Sequence, residues 1–273
     1  MNAVRFSFCF LGTVLVISLF FSEAGLGAFP QDDETRKMFR QQELEDEGRL
    51  LLKEKRYEEA LEKFKQDNDP ALKTKYYQDT VAEALIRRAY WMQNRFEDAL
   101  ENLKPLVQAK PDHQPWVDEH SELLALIESR DTHSPEPVYQ HIEYLKEKYK
   151  DQLPPNTGAY DDIVASAIIR LYDHVADFDA GVAFAEGFLK RCASGKSCRG
   201  DDKKLAYTPK HPYFQIKQAF LEDKAEGFKG CLNAKPSQSE GGQATPQDFG
   251  GQAGEACMGR ATQALIESDY FPW

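Results

Sequence analysis

Five cysteines, at 9, 192, 198, 231 and 257, are the residues best suited to covalent chemistry, and their settings decide which chemistry that is. Cys9 sits inside an apolar run and lacks the small-residue context of a lipidated cysteine. The other four make an even set, which in an exported chain predicts disulfides, and four cysteines allow three connectivities. Cys192 with Cys198 is the preferred pair, because Ala193 to Ser197 reads as a flexible loop that begins where a helix ends. Cys231 with Cys257 would then close the loop containing Lys235 to Gly242. Zinc needs paired ligands at short spacing, whereas Cys192 and Cys198 have no second pair nearby and the six histidines are scattered.

Acid–base and nucleophilic chemistry fare no better. His113, His120, His133 and His141 fall in one region, but the i, i+3 or i, i+4 spacing that would set two side by side on one helix face is absent. They read as surface histidines. Glu45 with Glu47, and Asp161 with Asp162, read as solvated helix face and helix start, and no nucleophile has an identifiable base. Gly241-Gly242 and Gly250-Gly251 lie in a linker without a phosphate-binding lysine, and no Cys-x-x-Cys-His haem attachment occurs. The expectation is a non-enzyme without metal or cofactor.

Residues 1–24 read as a secretory signal peptide. Arg5 supplies the positive start, Phe6 to Phe21 an apolar run, and Ser22-Glu23-Ala24 small residues at a cleavage site, with Gly27 or Ala28 as alternative cleavage points. The run is shorter than the roughly 20 residues of a spanning helix; a retained N-terminal anchor is the alternative. Removing Arg5 and Glu23 leaves the formal net charge at −11. An acidic chain without a clustered positive face argues against nucleic-acid and polybasic membrane binding. The expected location is periplasmic or extracellular, with no integral span after cleavage.

The elements that would position any site announce themselves by repetition. Arg56 to Phe64 (Arg-Tyr-Glu-Glu-Ala-Leu-Glu-Lys-Phe) recurs as Arg95 to Leu103 (Arg-Phe-Glu-Asp-Ala-Leu-Glu-Asn-Leu), 39 residues later. Tyr57, Ala60, Leu61 and Phe64, then Phe96, Ala99, Leu100 and Leu103, form one helix face in each copy. One such helix cannot bury its stripe alone, so the pattern predicts stacked helical hairpins sharing a core. With no sustained strand-like alternation, the fold class is all-α.

These residues resemble tetratricopeptide (TPR) repeats, in which small residues let paired helices approach and large ones fill the space between hairpins. Gly48, Tyr57, Ala60 and Phe64 match the first repeat; Tyr90, Phe96, Ala99, Leu103 and Pro111 match the second. The offset of 39 exceeds the family's usual period of about 34 residues. Leu51 replaces the usual aromatic and Arg87 the usual small residue. Asp69-Pro70 reads as an N-cap, so a long helix from Ala71 to about Gln93 would absorb the extra length. His113 to Ser129, and a second helix opened by Ser134-Pro135 with Val138, Ile142 and Leu145 among its apolar positions, read as a hairpin without a signature, and Leu153 to Gly158 as a break. Asp161 to Cys192 reads as a degenerate repeat, with Tyr172, Phe178, Gly181 and Ala185 in the matching places.

The resemblance implies an α-solenoid of TPR-like hairpins over residues 29–192, followed by a cysteine-containing helical appendage at 193–273 with a Gly/Ser/Gln-rich linker at 234–254. Helices at 212–228 and around 256–265 flank that linker, and a cap over the last hairpin is the expected role. The first helix of each TPR hairpin lines the concave groove. Matching positions here are Gln42, Glu45, Arg49, Leu52 and Lys53, then Val81, Ala84, Arg88, Trp91 and Met92, then Ser166, Arg170 and His174. Arg49, Arg88 and Arg170 would thus recur at one place in three successive hairpins. Ordinary helix-surface charges paired with Glu45 or Asp173 are the bland alternative.

Arg49, Lys53, Arg88, Trp91 and Arg170 are therefore the candidate binding residues, for a protein or peptide partner with an acidic segment or a C-terminal carboxylate. The implied function is an exported scaffold, for example in assembly of a cell-envelope complex. The alternative is an accessory subunit or a hydrolase whose repeats present a catalytic C-terminal appendage; a structural self-assembling protein is a third.

Overall fold

The computed structural model describes residues 33–74, 80–150, 159–195, 202–227 and 259–268, and all regular structure among them is helical. The leader, the break at 153–158, the whole linker, and Cys198, Cys231 and Cys257 lie outside the described residues. Eleven α-helices are described: α1 (Asp33–Lys53), α2 (Tyr57–Asp67), α3 (Thr80–Met92), α4 (Phe96–Ala109), α5 (Gln114–Thr132), α6 (Glu136–Lys148), α7 (Ala159–His174), α8 (Phe178–Ala193), α9 (Asp202–Leu205), α10 (Pro212–Glu226) and α11 (Arg260–Glu267). None is long and apolar enough to cross a membrane.

One turn is used four times. After α1, the N–H of Lys55 donates to the carbonyl of Leu52 and that of Arg56 to Leu51; after α3, Asn94 donates to Trp91 and Arg95 to Tyr90. After α5 the pairs are His133 to Arg130 and Ser134 to Ser129, and after α7 they are Ala176 to Asp173 and Asp177 to Tyr172. Each turn satisfies two terminal carbonyls of the outgoing helix and forces one residue into the left-handed region: Lys55 (φ 61°), Asn94 (φ 56°), His133 (φ 52°) and Ala176 (φ 55°). So short a connection makes its two helices antiparallel neighbours. Four hairpins follow: α1/α2, α3/α4, α5/α6 and α7/α8. The turns lie 39, 39 and 43 residues apart.

This register explains why the third hairpin carries no signature. Where α2, α4 and α8 place Ala60, Ala99 and Gly181, α6 places Val138; where they place Phe64, Leu103 and Ala185, it places Ile142. All eight side chains or glycine positions are buried. The hairpin α7/α8 is thus the fourth, so Arg88 and Arg170 do not lie in successive hairpins. At the equivalent place α5 carries Ile127.

Consecutive helices pack on one another from α1 through α8. Close approach is enforced at Gly48, where an added Cβ would stand 2.2 Å from Phe64 Cε1, and at Gly181, where it would stand 2.5 Å from Phe220 Cζ. The long helix expected from Ala71 is not continuous. Asp69 does cap a turn, its Oδ1 accepting from Ala71 N at 2.8 Å, but this is a 3-10 turn over Pro70–Leu72 that Lys73 ends in extended conformation. Residues 75–79 lie outside the described residues, and the described helix runs from Thr80.

Beyond the hairpins, α10 packs on α8, and α11 packs on α10, on α7 and on α1. The last described helix therefore meets the first. Tyr213, Ile216, Phe220, Leu265 and Ile266 share one buried apolar cluster with Leu52, Phe64 and Phe96.

Candidate functional site

The side of α3 that faces α5, α6 and α7 opens into a cavity lined by Arg87 and Arg88 of α3, Trp116, Asp118, Glu119 and Glu122 of α5, His141 and Leu145 of α6, and Ala167 and Arg170 of α7. Charges project here because one face of each helix is apolar and locked into the core. On α7, Ile168, Ile169, Leu171 and Tyr172 are buried, and Arg170 is carried to the cavity side among them.

Arginines from two hairpins pair with two carboxylates of α5. Arg87 grips Glu119 with two prongs, Nε to Oε1 and Nη2 to Oε2 at 3.0 Å each, while its Nη1 reaches Asn102 Oδ1 at 3.2 Å. Arg170 Nη2 donates to Glu122 at 3.0 and 3.3 Å. The Arg170 guanidinium also covers the Trp91 ring at 5.3 Å. Asp118 accepts from Gln114 Nε2 at 3.1 Å, Tyr144 Oη at 3.1 Å and Lys148 Nζ at 2.6 Å, and from Tyr149 Oη.

Burial dominates the electrostatics. It pushes the Arg88 guanidinium down to about 9, helped by the charges of Arg170 and Arg87 and opposed by Glu122 and Glu119. Burial would raise the Glu119 carboxyl, but the charge and hydrogen bonds of Arg87, with Arg88 and Arg170 behind, hold it below the ordinary range. Burial pushes the His141 imidazole down against the pull of Glu122 and Asp118, and that of His174 down to about 4. The Nε2 atoms of His141 and His174 and Nε1 of Trp91 are buried without a hydrogen-bond partner among the described residues.

Of the sequence-derived candidates, Arg88, Trp91 and Arg170 come together here, and Arg49 and Lys53 stand apart on α1. Arg49 Nη2 pairs with Glu45 at 2.9 Å, and Lys53 is exposed. Arg170 pairs with Glu122 rather than with Asp173. Two expectations are corrected: Glu45 is buried rather than solvated, and His141 is buried rather than on the surface. Both sit on the inward stripe of their helices, Glu45 beside Leu44 and His141 beside Ile142. Arg87, Glu119 and Glu122 were missed. The signal for them was the pair of acids three residues apart on one helix face, opposite adjacent arginines on another.

Cys192 is buried and disulfide-bonded, its sulfur 3.8 Å from His211 Nε2; the bonded cysteine falls outside the described residues. Compared with known protein families, with curated proteins and with solved structures, the chain matches none.

Proposed function

We propose that this chain is an exported, non-catalytic scaffold, an α-solenoid of TPR-like hairpins that binds a segment of another protein on its inner face. The supporting observation is that Arg88 and Arg170, from separate hairpins, line one cavity, with the Arg170 guanidinium lying over the Trp91 ring. Four hairpins built on one turn, at nearly constant spacing, are the architecture such a scaffold requires. The partner segment carries an acidic side chain or a C-terminal carboxylate. A carboxylate brought to the Arg88 guanidinium would offset the cost of its burial beside two other arginines. Assembly of a cell-envelope complex is a setting that fits an exported scaffold.

The test begins with proteins that co-purify with the mature chain from its own compartment. Arg88→Ala is expected to weaken the interaction by about 2 kcal/mol, as for an interface hot spot, and salt to weaken the wild type. Arg95→Ala is the control, because Arg95 is spent at the turn on Asp98 at 2.6 Å and Glu58 at 3.0 Å. Equal binding by wild type, Arg49→Ala and Arg88→Ala excludes this surface.

A further inference from the structure

The cavity between α3, α5, α6 and α7 has a volume of about 170 Å³. An apolar hole of about 150 Å³ is enough to take up benzene, so there is room here for one ring and not for a length of chain. Trp116, Leu145, Val164 and Ala167 make an apolar inner wall, and all four are buried. Ala84, Arg88, Pro115 and Ile163 also line the cavity but are only half-buried, so its mouth lies on their side. A segment crossing that mouth reaches the inner wall with a side chain alone.

Charges on the wall are already matched in pairs: Arg87 holds Glu119, Arg170 holds Glu122, and Lys148 holds Asp118. A charged group carried past the mouth would lose its water and compete with pairs already made, so the inner wall favours a neutral occupant. One polar group there is unmatched. His141 is 7% exposed, and its Nε2 has no hydrogen-bond partner among the described residues. Its ring lines the cavity and stacks on Tyr144, with centroids 5.7 Å apart. Burial pushes the imidazole down, against Glu122 and Asp118, and so keeps it neutral, with one N–H and one bare nitrogen. A dry, unmatched polar atom is costly. A hydroxyl both donates and accepts, so it satisfies Nε2 in either tautomer.

We propose that this cavity is the anchor pocket for a tyrosine side chain of the partner segment, with the ring on the apolar wall and the hydroxyl bonded to His141. Phenylalanine would leave His141 unmatched, and serine or threonine would leave the apolar wall unfilled. The acidic group of the same segment then stays at the mouth, beside Arg88. Assigning the phenol to a partner's tyrosine rests on the binding reading above; the pocket's preference for a phenol does not.

The intact full chain, without any partner, tests the pocket against p-cresol, which is the tyrosine side chain as a free molecule, and toluene, which lacks the hydroxyl. Calorimetric titration is expected to show p-cresol bound about tenfold more tightly than toluene, and 4-methylbenzoate bound more weakly than p-cresol. His141→Phe should abolish the preference for p-cresol, and Ala167→Phe, which fills the cavity, should abolish binding of both. Nitrogen-15 spectra of the wild type, in which the His141 ring signals are expected to move on adding p-cresol, decide the matter even if a variant does not fold. N-acetyl-tyrosinamide, expected to bind at least as tightly as p-cresol, shows that a phenol borne on a chain can enter. Absence of p-cresol binding, equal affinity for toluene, tighter binding of 4-methylbenzoate, or His141 signals unmoved at saturation overturns the phenol pocket. Exclusion of N-acetyl-tyrosinamide while p-cresol binds overturns the partner's tyrosine in favour of a free phenol. None of these outcomes bears on Arg88→Ala, so pocket and binding surface fail separately.

Discussion

The Arg170 guanidinium lies over the Trp91 ring, 5.3 Å from its centre, and so ties α7 to α3 across the α5/α6 hairpin that separates them in sequence. The same guanidinium holds Glu122, and both side chains of that pair are almost wholly buried. Packing and charge pairing are therefore carried by one residue at the inner junction of three hairpins.

Arg170→Ala leaves the Glu122 carboxylate buried without its partner, an arrangement that costs about 3–5 kcal/mol. Replacing both residues, Arg170→Met with Glu122→Leu, removes the stranded charge and is expected to cost less than the single change. Urea unfolding midpoints measure both. A loss below about 1 kcal/mol for Arg170→Ala contradicts the ion pair.

Gly48→Ala places a Cβ 2.2 Å from Phe64 Cε1, and overpacking of this kind costs about 1–3 kcal/mol. Phe64→Leu in the same chain should recover part of the loss by retreating from that contact. Gly187, in the middle of α8, has nothing within 4 Å of an added Cβ, so Gly187→Ala should stabilise by about 0.5–1 kcal/mol through helix propensity. Thermal unfolding that ranks the two glycines alike would refute the packing at Gly48.

Adjacent residues on α7 give stability opposite pH slopes. His174, held down to about 4 by burial, is neutral in the fold, so stability falls as pH drops from about 6.5 toward 4. Asp173, held up to about 7, makes stability rise over the same descent. Between pH 7.5 and 4.5, His174→Gln is expected to gain stability relative to wild type, and Asp173→Asn to lose it. Identical pH slopes in all three proteins would dispose of both assignments.

Alkylation of the unreduced chain should leave Cys192 unlabelled, since it is buried and disulfide-bonded. Peptide mapping is expected to join Cys192 to Cys198 and Cys231 to Cys257. Another pairing rejects this connectivity alone; a free thiol at Cys192 rejects the bond.

Helical class and the first two hairpins were legible in the sequence because their evidence is local. Tyr57, Ala60 and Phe64, with Phe96, Ala99 and Leu103, are read from spacing along one helix, and each is buried as that spacing requires. The third hairpin was legible as two helices but not as a repeat. What it shares with the others is backbone geometry, and Lys55, His133 and Ala176 are not residue types that advertise a left-handed turn. Only Asn94 does.

The candidate site divides in the same way. Register along α3 and α7 pointed to Arg88, Trp91 and Arg170, since a helical period fixes which residues share a face. That Glu119 and Glu122 answer two of the hairpins' arginines, and that Asp173 and Asp223 cap a helix beginning 37 residues after the nearer of them, was decided by tertiary packing alone. Charge pairs and caps between separate helices act through distance in space, and spacing along the chain leaves that distance open until the apolar faces have closed.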